Sequence, residues 1–365
     1  MSESQAAYRR GRSCNDHLIV LNTLVQKSIA RRKRLYCLFV DLSKAFDSIK
    51  REKLWTRLGE IGLDIQMIQK IREIYNHAYA KVQSKQGYTQ PLRILNGVLQ
   101  GETLSPTLFT LFIDEITLLL QKSNINGARI AATKAMILLY ADDIILTADC
   151  PHDLQSQINI IAKFFKNNDL LVNMDKTKIV VFGSGKQQKQ HRFYNDGNKI
   201  EIVNSYKYLG VEFHKTGSFK EHHDAVLHKT NVAINTLVNI LKAAKIQDID
   251  IAIRLFNTLA GTIPLYGLPI WGMNYVDNME KLQTKFLRQL LGASNLTPGY
   301  VLRLETGCKS IKSQIMKAIL TTMSNTMYSG TPTKEAKDCL NYLKSSVKQH
   351  QSTNMYIQWR KLFQK

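Results

Sequence analysis

Several features are scarce in this chain of 365 residues, and each absence removes a class of protein. Cysteine is sparse and scattered: Cys14, Cys37, Cys150, Cys308 and Cys339 are widely spaced, and no CxxC pair occurs. An odd, dispersed set argues against a disulfide framework or a zinc cluster and fits a reducing compartment. No apolar run reaches the roughly 20 residues of a membrane-spanning helix. The opening MSESQAAYRRGRS lacks the apolar core of a secretory signal. No internal repeat or long low-complexity linker stands out. His222 and His223 are adjacent but have no partner at ligand spacing, so they read as surface residues. Acidic residues are outnumbered, 29 against 50 Lys and Arg, which leaves a net charge of +21. The basic residues are spread along the whole chain. That suits a polyanionic partner, nucleic acid ahead of an acidic membrane surface, held in a long channel rather than by one tail.

What is present is a foldable globular pattern, 44% apolar and long enough for two or more domains. Periodicity predicts a helix from Asn15 to about Ala30, with Leu18, Leu21, Val25 and Ile29 on one stripe. The basic run Arg31 to Arg34 follows as a solvated loop. LYCLFVDL (35–42) reads as a buried strand. Helices fill about 50–80, and strands and turns fill 81–99, punctuated by Gly87, Pro91 and Gly97. A helix opens at Ser105-Pro106 and runs through LFTLFIDEITLLLQ. Pro151 starts another, with Leu154, Ile158, Ile161 and Phe165 as its stripe and Asn167-Asn168 as its end. KIVVF (178–182), FYNDGNKIEIV with its Asp196-Gly197 hairpin signal, and YKYLGVEF (206–213) supply strands. FGSGK (182–186) hints at a phosphate loop but lacks the Walker spacing and is discounted. Beyond residue 215 strand signals fade. Ser218 and Glu221 have capping-box spacing ahead of a long helix. The remainder reads as helical, apart from a loop around Pro264 to Gly272. The order is mixed α/β to about residue 214 and helical after it.

The oddest stretch is LLYADDIILTA (138–148). Two adjacent carboxylates, Asp142 and Asp143, interrupt an apolar run that contains no basic residue. Charged groups are rarely buried unless paired or bound to metal. Two short strands with the acidic pair at their turn account for the pattern. Mg²⁺ takes octahedral oxygen ligation, so a third carboxylate from another strand is needed. Asp41, at the end of the apolar strand in FVDLSKAFD, is the candidate. Such a triad suits two-ion catalysis of an in-line phosphoryl displacement.

Taken in order, the motifs resemble the reverse transcriptase domain of a non-LTR (LINE-type) retrotransposon. QAAYRRGRS (5–13) is similar to that family's Q-x-G-F-R-x-G-R-S motif. FVDLSKAFD (39–47), GVLQGETLSPTLF (97–109), YADD (140–143), NMDKTK (173–178) and YKYLGVEF (206–213) resemble polymerase motifs A to E. LYGLPIW (265–271) and KLQTKFLRQLLG (281–292) look like its post-polymerase region.

The resemblance implies an α+β right-hand polymerase with partial fingers (1–36), a ferredoxin-like palm (37–214) carrying a fingers insertion at about 55–96, a helical thumb (215–300) and a C-terminal helical extension (301–365). It implies an RNA-directed DNA polymerase that adds dNTPs to a primer 3′-OH. Asp41 and Asp142 would be the main ligands of two Mg²⁺ ions (Mn²⁺ as an alternative), with Asp143 a weaker ligand and Leu42 lending a backbone carbonyl. Lys176 would protonate the departing pyrophosphate. Phe46 would be the steric gate against a ribose 2′-OH, with Gln100 and Gly101 beside the nucleotide. Arg9, Arg12, Leu209, Gly210, Lys229 and Lys242 would contact template or primer. The implied partners are an RNA template, a DNA primer and dNTPs. No membrane and no obligatory protein partner are implied, and the location is intracellular. The alternative is a truncated, element-derived fragment that binds RNA without catalysis, since the sequence begins inside the fingers motif.

Overall fold

The computed structural model describes residues 1–130, 133–183, 191–328 and 334–345. Ser184 to Lys186 of the discounted FGSGK stretch lie outside them. The chain divides into two compact units, one of Met1–Cys14 and Lys33–Asn204, the other of Asn15–Arg32 and Ser205–Lys365.

The first unit is built on a six-stranded sheet. Its strands are β1 (Leu35–Val40), β2 (Ile137–Tyr140), β3 (Asp143–Ala148), β4 (Lys178–Phe182), β5 (Phe193–Asn195) and β6 (Asn198–Val203), in the order β5-β6-β4-β1-β3-β2. β1 pairs antiparallel with both β3 and β4, and β3 with β2. The order 4-1-3-2 for a strand, a helical crossover, a hairpin, a helix and a strand is the ferredoxin-like arrangement. Every residue of β1 is buried, which explains why LYCLFV reads as a continuous apolar run rather than an alternating one. Helix Pro151–Asn167 lies against β1 and β3, with Leu154, Ile158, Ile161 and Phe165 in the common core beside Phe109 and Phe112. Pro151 opens that helix, and the Cys150 sulfur accepts the Asp153 N–H at 3.4 Å. The helix expected from Ser105 onward divides at Asp114 into Ser105–Ile113 and Glu115–Lys122. The buried Asp114 carboxylate is occupied by the Ser2 N–H and hydroxyl.

Between β1 and the helix at Ser105, the chain forms helices Arg51–Glu60 and Ile65–Asn76 and then a two-stranded excursion, Tyr79 to Arg93. A nearly buried arginine closes its base. Arg51 Nε donates to the Gly97 carbonyl at 3.0 Å and Nη1 to the Tyr75 carbonyl at 2.8 Å, with the guanidinium over the Tyr75 ring. Burial lowers the Arg51 pKa from its usual value, and Tyr75 partly offsets this. Among the described residues this cation has no carboxylate partner, so its contacts are to carbonyl dipoles and a ring face.

The second unit combines helix Cys14–Ala30, whose residues from Asn15 belong here, with hairpin β7 (Ser205–Tyr208) and β8 (Val211–His214) and a run of helices. Helix Lys220–Ala243 packs Ile234, Leu237 and Leu241 against Phe256, Phe286 and Leu287. Three expectations are corrected in this unit. The capping box does not form: Phe219 is the N-cap, and the Ser218 hydroxyl accepts from Lys220 N–H instead. The predicted loop around Pro264 to Gly272 contains two helical turns, Thr262–Leu265 and Leu268–Trp271, because Pro269 sits at a tolerated first-turn position. His222 and His223 are buried at 6% and 4% exposure. His222 meets Trp271 edge to face and its Nδ1 accepts the Glu212 N–H, while His223 stacks on Tyr275 at 4.1 Å. Burial, reinforced by Lys207, pushes the His222 pKa down to about 4, so the ring packs as a neutral aromatic.

Replacing Arg51 with Leu leaves the Tyr75 and Gly97 carbonyls without that donor. The expected outcome is a loss of unfolding free energy of about 2 kcal/mol or more, read from urea denaturation.

Candidate active site

The register of β1 on β3 assembles the acidic cluster. Val40 is paired with Ile144, so Asp41, the residue that follows β1, comes level with Asp143 at the start of β3. Directly opposed residues of an antiparallel pair have Cβ atoms about 5 Å apart. Asp143 is also paired with Tyr140 across the β2–β3 hairpin, which leaves Ala141 and Asp142 as its two-residue turn. The expectation that both aspartates sit in the turn is thereby refined: Asp142 occupies the turn and Asp143 begins the strand.

The three carboxylates feel one another. Burial raises the Asp143 pKa to about 6, with the charges of Asp142 and Asp41 adding to the effect. Burial also raises Asp142, against which its own backbone hydrogen bond works, and Asp41 adds to the rise. The carboxyl groups reach solvent at the tip, yet the apolar strands beneath strip enough water to disfavour the charge. The cation near the cluster is Lys176, whose Nζ is 3.8 Å from Asp41 Oδ2. An exposed pair of that length neutralises little.

A triad of under-neutralised hard oxygens fits a divalent cation. Among the described residues, no group of three or more His, Cys, Asp or Glu side chains is already closed into a metal-holding cluster. An ion here therefore needs further oxygens, such as phosphate or water, which is usual for Mg²⁺.

The remaining predicted residues fall into three groups. Phe46 lies on the short helix Ala45–Ser48 after β1, half-buried, stacked on Phe109 at 4.5 Å with an interplanar angle of 9°. Its carbonyl accepts the Val98 N–H at 2.9 Å. Gly97 explains that approach: it has φ +76°, and a Cβ there would lie 2.6 Å from the Asp47 Cα. Gln100 is exposed and donates to Asp47 Oδ1 at 3.1 Å. Gly101 has φ +88° with open space around it. Leu42 is a buried core side chain, opposite Val172 in a short strand pair. Arg9 and Arg12 are engaged locally: Arg9 donates to the Ser2 and Gln5 carbonyls, and Arg12 pairs with Glu3 at 2.7 Å. Leu209, Gly210, Lys229 and Lys242 belong to the second unit. There the Tyr266 hydroxyl donates to the Leu209 carbonyl at 2.8 Å, and the Tyr266 ring lies 2.8 Å from where a Cβ on Gly210 would be. Lys229 lines a cleft with Lys207, Gly210 and Tyr266, and Lys242 is exposed.

Sequence reasoning missed the residues that brace the cluster. Asn173 donates its N–H to the Asp41 carbonyl at 2.8 Å, and Thr177 Oγ1 accepts the Asp41 N–H at 3.1 Å. NMDKTK is thus stapled to the backbone of the first aspartate. Gln5 is fully buried. Its flanking backbone bridges Leu139 on β2, from Ala6 N–H at 3.0 Å and to the Ser4 carbonyl at 2.9 Å. Its Oε1 accepts from Ala7 N–H at 2.9 Å and from Ala141 N–H at 3.3 Å. Ala141 is the turn residue before Asp142 and has φ +56°, a conformation that disfavours a side chain. Gln5 therefore holds a strained peptide in place. A lone glutamine in a sequence gives no hint of this beyond its place in the motif.

The comparisons with known proteins place this fold and acidic cluster in a family. Residues 1–213 match the family model described as Reverse transcriptase (RNA-dependent DNA polymerase), and the chain belongs to that family. Membership bears out the resemblance to retrotransposon polymerases and the right-hand polymerase fold, and reverse transcriptases in general use divalent metal ions. One relative is a Pol polyprotein from the R2 element of Popillia japonica, 26% identical over 56% of this chain and 35% of that protein. The polymerase from mobile element jockey of Drosophila funebris is 23% identical over 70% of this chain and 28% of its own length. A probable polymerase from transposon BS of Drosophila melanogaster is 21% identical over 87% and 35%. The chain spans about a third of the length of these relatives. Apo telomerase from Candida Tropicalis is similar over 99% of this chain and 57% of that one, with a TM-score of 0.46 and 12% identity. Among the described residues no helix is long and apolar enough to cross a membrane.

Two outcomes are expected. Between the ordinary carboxylate range and about pH 6, folded Asp143 keeps a proton that the unfolded chain has released, so this group's contribution to stability falls as pH rises through that window. A divalent ion offsets the penalty only where the carboxylates are ionised. Added Mg²⁺ should raise the thermal midpoint at pH 8 by on the order of 2 °C and leave it unmoved at pH 4. Gln5→Met, similar in size but without the acceptor, should lower the rate of nucleotide addition at least about tenfold, leave KM for the nucleotide nearly unchanged and abolish exchange protection of the Ala141 amide.

Proposed function

We propose that this chain is the RNA-directed DNA polymerase of a non-LTR retrotransposon, working inside the cell and adding dNTPs to the 3′-OH of a DNA primer paired to an RNA template. The observation that carries the reading is the register that sets Asp41 level with Asp143, with Asp142 in the turn between β2 and β3. In this reading two Mg²⁺ ions, held chiefly by Asp41 and Asp142 with Asp143 and the Leu42 carbonyl as lesser ligands, supply positive charge to the attacking and leaving oxygens.

The chain's own groups do the rest. Asn173 and Thr177 fix the Asp41 backbone, and Gln5 fixes the peptide before Asp142, so the oxygens need little reorganisation. Lys176, exposed and 3.8 Å from Asp41, holds a proton at Nζ for the departing pyrophosphate. Phe46, locked against Phe109 and backed by Gly97, presents a ring edge that excludes a 2′-hydroxyl and selects dNTPs over NTPs. Gln100, oriented by Asp47, and the open backbone at Gly101 meet the nucleotide and its template base. Template and primer contacts are assigned to Arg9, Arg12, Leu209, Gly210, Lys229 and Lys242. In this reading the fingers, palm, thumb and C-terminal extension are assigned the residue ranges that the resemblance implies.

Primer extension on poly(rA)/oligo(dT) with Mg²⁺ tests the reading. Incorporation of dTTP that falls at least about a hundredfold in Asp142→Asn supports it. No incorporation by the unaltered chain overturns it. Phe46→Val should admit ribonucleotides, narrowing the preference for dNTPs by about tenfold or more.

A further inference from the structure

The excursion from Tyr79 to Arg93 carries a face that catalysis does not use. From Ile74 to Gly101 the sequence contains no Asp or Glu, while Lys81, Lys85 and Arg93 lie within it. Residues 79–93 are exposed throughout. Among them Tyr79 and Tyr88 are 58% and 68% exposed, unusual for large rings on a ribbon with no packed neighbour.

Pairing sorts the side chains into two faces. Tyr79 is opposite Arg93, Ala80 opposite Leu92, and Gln83 opposite Tyr88, while Thr89 N–H donates to the Val82 carbonyl at 3.0 Å. Side chains alternate along a strand. The register shifts by one residue between the Ala80–Leu92 and Gln83–Tyr88 pairs, an extra residue on the return strand, so one face carries Tyr79, Lys81, Gln83, Tyr88 and Arg93. The other carries Ala80, Val82, Thr89 and Leu92. Lys85 stands at the tip, where the Ser84 hydroxyl accepts from Gln86 N–H and donates to the Gly87 carbonyl. The base is rigid: Arg51 ties Tyr75 to Gly97, and Ile94 N–H donates to the Ala78 carbonyl at 3.0 Å. The ribbon that carries the rings and cations is thus anchored at its base before any partner arrives, which lowers the entropy cost of binding.

We propose that this face binds single-stranded RNA, with bases stacking on Tyr79 and Tyr88 and phosphates meeting Lys81, Lys85 and Arg93. Exposed rings interleaved with cations and free of carboxylates form the stacking platform that takes unpaired bases of any sequence. A duplex hides its base faces and offers such rings nothing to stack on. The proposal goes beyond the polymerase reading, because stacking requires neither metal nor turnover.

The test is fluorescence anisotropy of a labelled 15-nucleotide single-stranded RNA with the full chain, without divalent ions, beside a blunt duplex of the same sequence. Tyr79→Ala with Tyr88→Ala should weaken single-strand binding at least about tenfold and leave duplex binding unchanged. Phe at both positions should restore it. Alanine at Lys81, Lys85 and Arg93 should flatten the dependence of log Kd on log salt by about 2 units. Val82→Ser with Leu92→Ser, on the opposite face, should change nothing. Binding by the double alanine variant as tight as the unaltered chain, or loss through the Val82 and Leu92 changes alone, overturns the proposal. The second result marks a protein-contacting aliphatic face instead. A chain that fails primer extension but shows tyrosine-dependent binding overturns the polymerase reading and leaves this one standing.

Discussion

The antiparallel register between β1 and β3 is the constraint on which the rest depends. One step of slip would turn every side chain of β1 to the other face of the sheet and move Asp41 away from Asp143. Such a slip is opposed by the core, because all six residues of β1 are buried on both faces between β3 and β4. The same apolar packing that fixes the register also desolvates the cluster and raises Asp142 and Asp143. Stability of the sheet and electrostatic tension at its tip therefore have one cause.

Segments distant in sequence hold that tip. The turn at Asn173 to Thr177 grips the backbone of Asp41, and the segment around Gln5 lies beside β2 and takes the amide before Asp142. Two stretches, each reaching across more than a hundred residues of chain, thus fix one peptide unit apiece. A polar contact to a backbone amide places a neighbouring carboxylate without adding charge to a site already crowded with it. The return leg at Gly97 and Val98 does the same for Phe46, by contact rather than by charge.

In the second unit, histidine has a different use from the one its spacing suggests. His222 and His223 have no metal-ligand spacing, and that part of the sequence reading stands. Their burial against Trp271 and Tyr275 shows that a histidine without metal partners is not thereby a surface residue. Desolvation keeps the His222 ring neutral beside Trp271, and the buried His223 ring stacks on Tyr275. The capping box failed for a related reason: the match lies in two side chains, but the helix starts where Phe219 packs against Phe213, at 5.5 Å.

The sequence by itself determined the element order, the helical stripe of Pro151–Asn167, the β2–β3 hairpin and the identity of the three carboxylates. Each of these depends on local periodicity, or on residue types that local chemistry permits in few places. Only the tertiary structure decided that Asp41 comes level with Asp143, that Arg51 clamps the base of the exposed ribbon, and that Gln5 supports the acidic turn. These depend on strand register and on hydrogen bonds between segments far apart in the chain. No local pattern encodes such pairings, because their partners meet only once the core has closed.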